Sequence, residues 1–305
     1  MTKSSPKKLK IRILASLAVV PLAALLAGCV GSAGASEDTS AENETVKIGV
    51  VGASDPYWET YVDAAADEGI TVELVDFSDY NQPNPALAQG ELDLNQFQHI
   101  IYLAQFNEAN DEDLVPVGST AIYPLGLYST QYDSVEDIPD GATVAVPNDP
   151  SNLARALLVL QSADLITLTG GGSTYSTVAE IDESTSRVKV TELDPTLTAT
   201  SLPDVAAAII NNDFIVDSGL EASDAIAQDD PSDPNALPYV NIFAARAEDA
   251  DNETYKKLVE IYQNTKAVTD GVIENSGGTA VIVKSDVKDL STSLKTEQEN
   301  IAKQG

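Results

Sequence analysis

Val46-Lys-Ile-Gly-Val-Val51 is an apolar run rich in β-branched residues that stops at Gly52-Ala-Ser54, and it reads as a buried strand. Over residues 56–68, Tyr57, Tyr61, Ala64 and Ala65 fall at helical spacing, and Gly69 ends the repeat. Thr71-Val-Glu-Leu-Val75 is then a second strand. Strand, helix and strand in so short a stretch predict a parallel sheet and an α/β fold.

The pattern repeats further on. A short helix over 84–89, a strand over 92–95, a helix over 100–107 and a strand over 114–117 are expected. Ala121-Ile-Tyr-Pro-Leu-Gly-Leu-Tyr128 must be extended, because Pro124 cannot sit inside a helix. A second α/β series follows: strand 142–146, helix 151–163, strand 188–193 and a short helix over 204–208. A second extended segment, 239–245, leads to a helix over 253–263. Two α/β series joined by two extended crossings suit two lobes, residues 46–122 plus 241–305 and residues 123–240, and 305 residues are enough for two cores. Gly170-Gly-Gly-Ser173 lacks the Lys and Ser/Thr of a phosphate loop and reads as a turn.

The chain carries 17 Lys and Arg against 48 Asp and Glu, a formal net charge of −31. Such acidity excludes a surface that tracks nucleic acid or docks electrostatically on anionic lipid. The balance is uneven. Lys3, Lys7, Lys8, Lys10 and Arg12 precede a 15-residue apolar run over 13–27, and no acid occurs there. That run is short for a span, which needs about 20 apolar residues, and reads as a secretory leader. It ends in Leu26-Ala-Gly-Cys29, similar to a bacterial lipobox, so cleavage after residue 28 and acylation of Cys29 are expected. Residues 29–45 hold little that could build a core and read as a flexible tether. What remains after cleavage has 12 basic and 48 acidic residues, a net charge of −36. The expected place is the outer face of a cell membrane, held by lipid.

Catalysis is hard to build from this composition. Cys29 is the single Cys and His99 the single His, so an internal disulfide, a thiolate cluster and any site with two imidazoles are excluded. No Gly-x-Ser-x-Gly elbow accompanies His99. Neither a cofactor nor a metal is expected. Recognition is easier. In Pro147-Asn-Asp-Pro-Ser-Asn-Leu-Ala-Arg-Ala156 a strand ends and a helix begins, with Ser151 or Asn152 as the expected N-cap and Arg155 in or beside the first turn. Helix N–H groups and a guanidinium together make a carboxylate receptor. In Asn95-Gln-Phe-Gln-His-Ile-Ile-Tyr102, a helix would set His99 and Tyr102 on one face with Phe97 just before it, as core or as the wall of an apolar pocket.

Phe97-Gln-His99, Phe77-Ser-Asp-Tyr80, Pro147 through Leu158 and Pro238-Tyr-Val-Asn-Ile242 together resemble the methionine-binding lipoproteins of the NlpA/MetQ type, in order, from about Val46 to Gly278. The resemblance implies a two-lobed, periplasmic-binding-protein-like (type II) α/β fold with two hinge strands. It implies a monomer that captures methionine and hands it to the permease and ATPase of an ABC importer. Carried over by motif, Arg155 and Asn152 would hold the ligand's α-carboxylate, and Asn241 and Asn211 would contact its amino and carboxylate groups. Tyr80, Phe97, His99 and Tyr102 would wrap the thioether. Family members often read Ile-Asn-Gly-Asn-Tyr where this chain has Ile210-Asn-Asn-Asp-Phe214, and the polar stretch after Ala280 is longer than the usual ending. The alternatives are the same fold with another amino acid or a short methionine-containing peptide, an acidic surface enzyme, and a passive adhesin.

Overall fold

The computed structural model describes residues 45–233 and 236–304, so the leader, Cys29 and residues 29–44 of the tether lie outside the described residues. β1 (Thr45–Val51), α1 (Pro56–Asp67) and β2 (Thr71–Phe77) form the expected parallel unit. Gly52 sits at φ +83°, a conformation L side chains avoid, and turns the chain so that the Asp55 N–H reaches the Gly52 carbonyl at 3.0 Å. Pro56 then starts α1, where its missing N–H costs nothing. The inner face of α1 carries Tyr57, Trp58, Tyr61 and Ala65, and Trp58 packs edge-on against Tyr61. That fits a core residue and not a ligand contact.

The chain continues through α2 (Pro83–Ala88), β3 (Leu94–His99), α3 (Ile100–Asn110), β4 (Val115–Ser119) and β5 (Ala121–Ile122). It then leaves the first sheet for β6 (Gly126–Tyr128), β7 (Thr143–Pro147), α4 (Pro150–Ser162), β8 (Lys189–Leu193), α5 (Pro195–Thr198), β9 (Ala207–Ile210) and β10 (Ala227–Gln228). It returns as β11 (Asn241–Ala245), α6 (Glu253–Asn264), α7 (Lys266–Asn275), β12 (Val281–Ile282) and α8 (Val287–Ala302). One five-stranded sheet has the order β2-β1-β3-β11-β4, a second has β10-β6-β9-β7-β8, and β12 pairs with β5 in a two-stranded third. β1 pairs parallel with β2 and β3, and β7 with β8 and β9, while the strands that follow the crossings, β11 and β6, pair antiparallel.

The expected helix over 204–208 is not there. Ala207-Ala-Ile-Ile210 is a fully buried strand between β6 and β7, and the helical turns precede it. A four-residue apolar run has no period, so only its neighbours decide between helix and strand.

Each sheet is covered on its faces, and the cores follow from that. α1, α6 and α7 pack Trp58, Tyr61, Leu258, Tyr262 and Val268 on one face of the first sheet. At Gly118 the fit is closest, since a Cβ there would lie 2.2 Å from Val259 Cγ1. The other face takes α2, α3 and α8 through Leu87, Leu103, Leu290 and Leu294, so the polar C-terminal stretch is a packed helix of the first lobe. α4 covers the second sheet with Leu153, Leu157 and Leu160. A fourth cluster draws Tyr80 and Phe97 from the first lobe and Ala208, Ile210 and Phe214 from the second. The crossings, residues 120–125 and, among the described residues, 229–233 and 236–240, run beside it.

Candidate functional site

Every residue expected to bind ligand lies on one pocket beside the crossings. Tyr80, Phe97, His99 and Tyr102 come from the first lobe, Asn152, Arg155 and Asn211 from the second, and Asn241 from the start of β11; Tyr123, Pro124 and Asn212 complete the wall. The space left among them is about 20 Å³, room for about one water molecule.

The helix start differs from expectation. Asp149, not Ser151 or Asn152, caps α4: its backbone is extended and its carboxylate accepts the Asn152 N–H at 3.0 Å. Pro150 dictates this, because Pro favours the first helical position and leaves the preceding residue extended. Arg155 consequently lies in the second turn, and a side chain of the protein already meets the helix N–H groups. Asn152 also gives its amide protons to Asp149, at 3.0 and 3.1 Å. Its Oδ1 faces His99 Nε2 across the cleft at 3.3 Å.

His99 and Tyr102 do meet, but not as neighbours on a helix face. His99 is the extended cap of α3, and its Nδ1 accepts the Tyr102 N–H at 3.2 Å. That places the ring proton on Nε2, facing the Asn152 oxygen. Burial first, and then the Arg155 charge, push the imidazole down to about 3, so His99 stays neutral. Phe97 stands on β3, and Tyr80, Phe97 and Tyr102 form a cage with ring centroids 5.7 to 6.2 Å apart, closed by Phe214 at 5.0 Å from Tyr80.

Arg155, on α4 of the second lobe, is nearly buried, and its ion pair with Asp229 has Nε–Oδ2 at 2.5 Å. Asn211 precedes the turn over 212–218 and is also buried. Its Oδ1 meets no hydrogen-bond donor among the described residues. An orphaned buried acceptor is costly unless a donor arrives. Asn241 lies directly opposite His99 in the β3–β11 pairing. Sequence reasoning assigned no role to Asp229, Asp213, Tyr239 or the Tyr123 carbonyl, which meet the pocket residues Arg155 and Tyr80 from irregular segments and short 3-10 turns with no periodicity to announce them. Asp149 was legible, as Asp-Pro before an apolar helix is a start signal. Among the described residues no group of three or more His, Cys, Asp or Glu is placed to hold a metal ion.

Two α/β lobes with a recognition pocket at the crossings between them define a two-lobed solute-binding protein of the periplasmic-binding-protein-like (type II) class. The sequence profile of the NlpA lipoprotein family matches residues 46–283. The D-methionine-binding lipoprotein MetQ of Escherichia coli (strain K12) is 39% identical over 244 residues, 78% of this chain and 88% of that one. Among solved structures, the substrate binding protein of a methionine transporter from Streptococcus pneumoniae superposes with a TM-score of 0.72 at 38% identity, covering 78% of this chain and 95% of that one. A nutrient binding protein from Burkholderia cenocepacia bound to methionine does so at 0.72 and 38%, covering 78% and 99%. The chain belongs to the NlpA lipoprotein family.

Proposed function

We propose that this chain is a lipid-anchored, extracytoplasmic substrate-binding protein that captures methionine and delivers it to an ABC importer. The observation that carries the reading is what meets in one pocket: Arg155 and the orphaned Asn211 carbonyl from the second lobe, and the Tyr80–Phe97–Tyr102 cage from the first. A free amino acid needs an anion receptor, an acceptor for its ammonium and a wall suited to its side chain. Arg155 supplies the first and Asn211 with Asn241 the second. Aromatic faces suit a polarizable thioether. The relatives named for methionine support the same ligand.

Capture follows by hinge bending at 120–125 and 229–240. Ligand enters with the lobes apart, and contacts to both lobes favour the shut arrangement. No bond is made or broken, and the neutral, hydrogen-bonded His99 suits a wall better than a base. Anchoring rests on Cys29 and the lipobox before it. Among the described residues no helix is long and apolar enough to cross a membrane.

A methionine-containing dipeptide is the second reading, and one observation favours it. A cavity of about 660 Å³ shares Tyr123, Pro124 and Asn212 with the pocket and carries Asp55, Asp213, Glu221 and Glu274 on its walls, which suits an ammonium terminus. Calorimetric titration of the unlipidated body, stripped of bound ligand, with L-methionine, D-methionine and a methionine dipeptide tests both. Heat with none of them removes the proposal, and a dipeptide that binds more tightly than methionine selects the second reading.

A further inference from the structure

Asp229 follows β10 where the chain begins its return to the first sheet. Its Oδ2 accepts from Arg155 Nε at 2.5 Å, and its Oδ1 accepts from Arg155 Nη2 at 3.1 Å and from the Leu125 N–H at 2.8 Å. Arg155 Nη2 gives its second proton to the Tyr123 carbonyl at 2.9 Å. The guanidinium carbon lies 4.4 Å from the centre of the Tyr239 ring, which covers one flat face. Among the described residues three of the five N–H groups are thereby engaged, and the Nη1 edge is what Arg155 has left to offer the pocket. Every partner belongs to a crossing: Tyr123 and Leu125 to the first, Asp229 and Tyr239 to the second.

We propose that Asp229 is the positioning residue of the ligand-carboxylate receptor: it holds Arg155 side-on, so that Nη1 alone is presented, and fastens the receptor to both hinge segments. This rests on the reading that Arg155 takes the ligand's α-carboxylate. A rival view makes Asp229 an internal occupant that ligand must displace. Two observations oppose it. The Leu125 N–H holds Asp229 independently of Arg155. Asp229 is also 26% exposed against 7% for Arg155, so solvent screens its repulsion of an incoming carboxylate while the long Arg side chain depends on it for direction.

The test measures binding of L-methionine and of L-methioninamide, in which a neutral amide replaces the carboxylate, to the wild-type body, Asp229→Asn and Asp229→Glu, with thermal melts alongside. Wild type should prefer methionine. Asp229→Asn should cut that preference roughly tenfold or more, the scale on which orienting partners act, and shift methioninamide by less than about threefold. Asp229→Glu keeps the charge but displaces the fork by one methylene, and it should lower the preference as well. The positioning role is overturned if Asp229→Asn binds methionine more tightly, keeps the wild-type preference, or loses both ligands in parallel. It is also overturned if Asp229→Glu behaves as wild type, since charge alone would then suffice. If Asp229→Asn fails to fold, the Asp229→Glu comparison decides. A wild-type body with no preference overturns the Arg155 reading itself, a result visible without any variant.

Discussion

The Tyr80 hydroxyl donates to Asp213 Oδ2 at 2.8 Å, a bond that joins the loop after β2 in one lobe to the turn after β9 in the other. The Tyr80 ring also belongs to the aromatic cage, so one side chain both lines the pocket and ties its walls together. Burial raises the Asp213 carboxyl to about 7 against an ordinary value of 3.8, outweighing the Tyr80 hydrogen bond, which lowers it, with a smaller push upward from the Asp55 charge. Asp55 itself is raised to about 6, chiefly by burial. Shutting the cleft therefore takes up a proton that the parted lobes release. The shut arrangement is favoured on the acid side and loses that preference as pH rises through about 7. Methionine should dissociate more slowly at pH 6 than at pH 8 in stopped-flow measurements, and Asp213→Asn should flatten most of the profile. Equal rates in wild type at both values would show that protonation of the buried Asp213 does not control release.

On the proposed reading, removing the guanidinium leaves the ligand carboxylate in a closed cleft without its counter-ion. Arg155→Ala should weaken methionine by about 2–5 kcal/mol, a range measured when one partner of a buried charge pair is truncated. Calorimetry reads the loss directly, and unchanged affinity would remove Arg155 from the site.

His99 is the only imidazole, so its titration can be followed by NMR without assignment. With the ring held near 3 by burial and by Arg155, its resonances should stay put from pH 8 to pH 5. The linkage runs opposite to that of Asp213: an unfolded chain takes a proton near 6.5 that the fold refuses, so this residue subtracts stability as pH falls below about 6.5. A midpoint near 6.5 in the folded protein would contradict the buried, neutral ring.

The C-terminal helix is part of the first lobe's core through Leu290, which is fully buried, and Leu294. Beyond them the buried Glu297 accepts a hydrogen bond from Tyr175 of the second lobe. Leu290→Ala should cost about 2–5 kcal/mol of unfolding free energy, measured by denaturant titration. A loss below about 0.5 kcal/mol would mean that the helix is a surface appendage.

Much of the lobe plan was legible because it rests on short-range chemistry. The β-branched run at Val46, the helical spacing after Pro56 and the extended stretch forced by Pro124 each report a local preference, and each element formed where expected within a few residues. The motifs around Phe97, Arg155 and Asn241, through the family resemblance they carry, also pointed to residues that the structure brings to one pocket. Local chemistry stopped short at Ala207-Ala-Ile-Ile210, whose strand state comes from β6 and β7 on either side. It stopped short again at α4, where Pro150 moved the cap to Asp149. What only the tertiary structure decided is which polar groups face one another. Asp229 lies 74 residues from Arg155 and Asp213 lies 133 from Tyr80, separations over which no periodic signal survives. Those pairings exist because two hinge segments bring distant loops into one desolvated place, where an unpaired charge is too costly to persist.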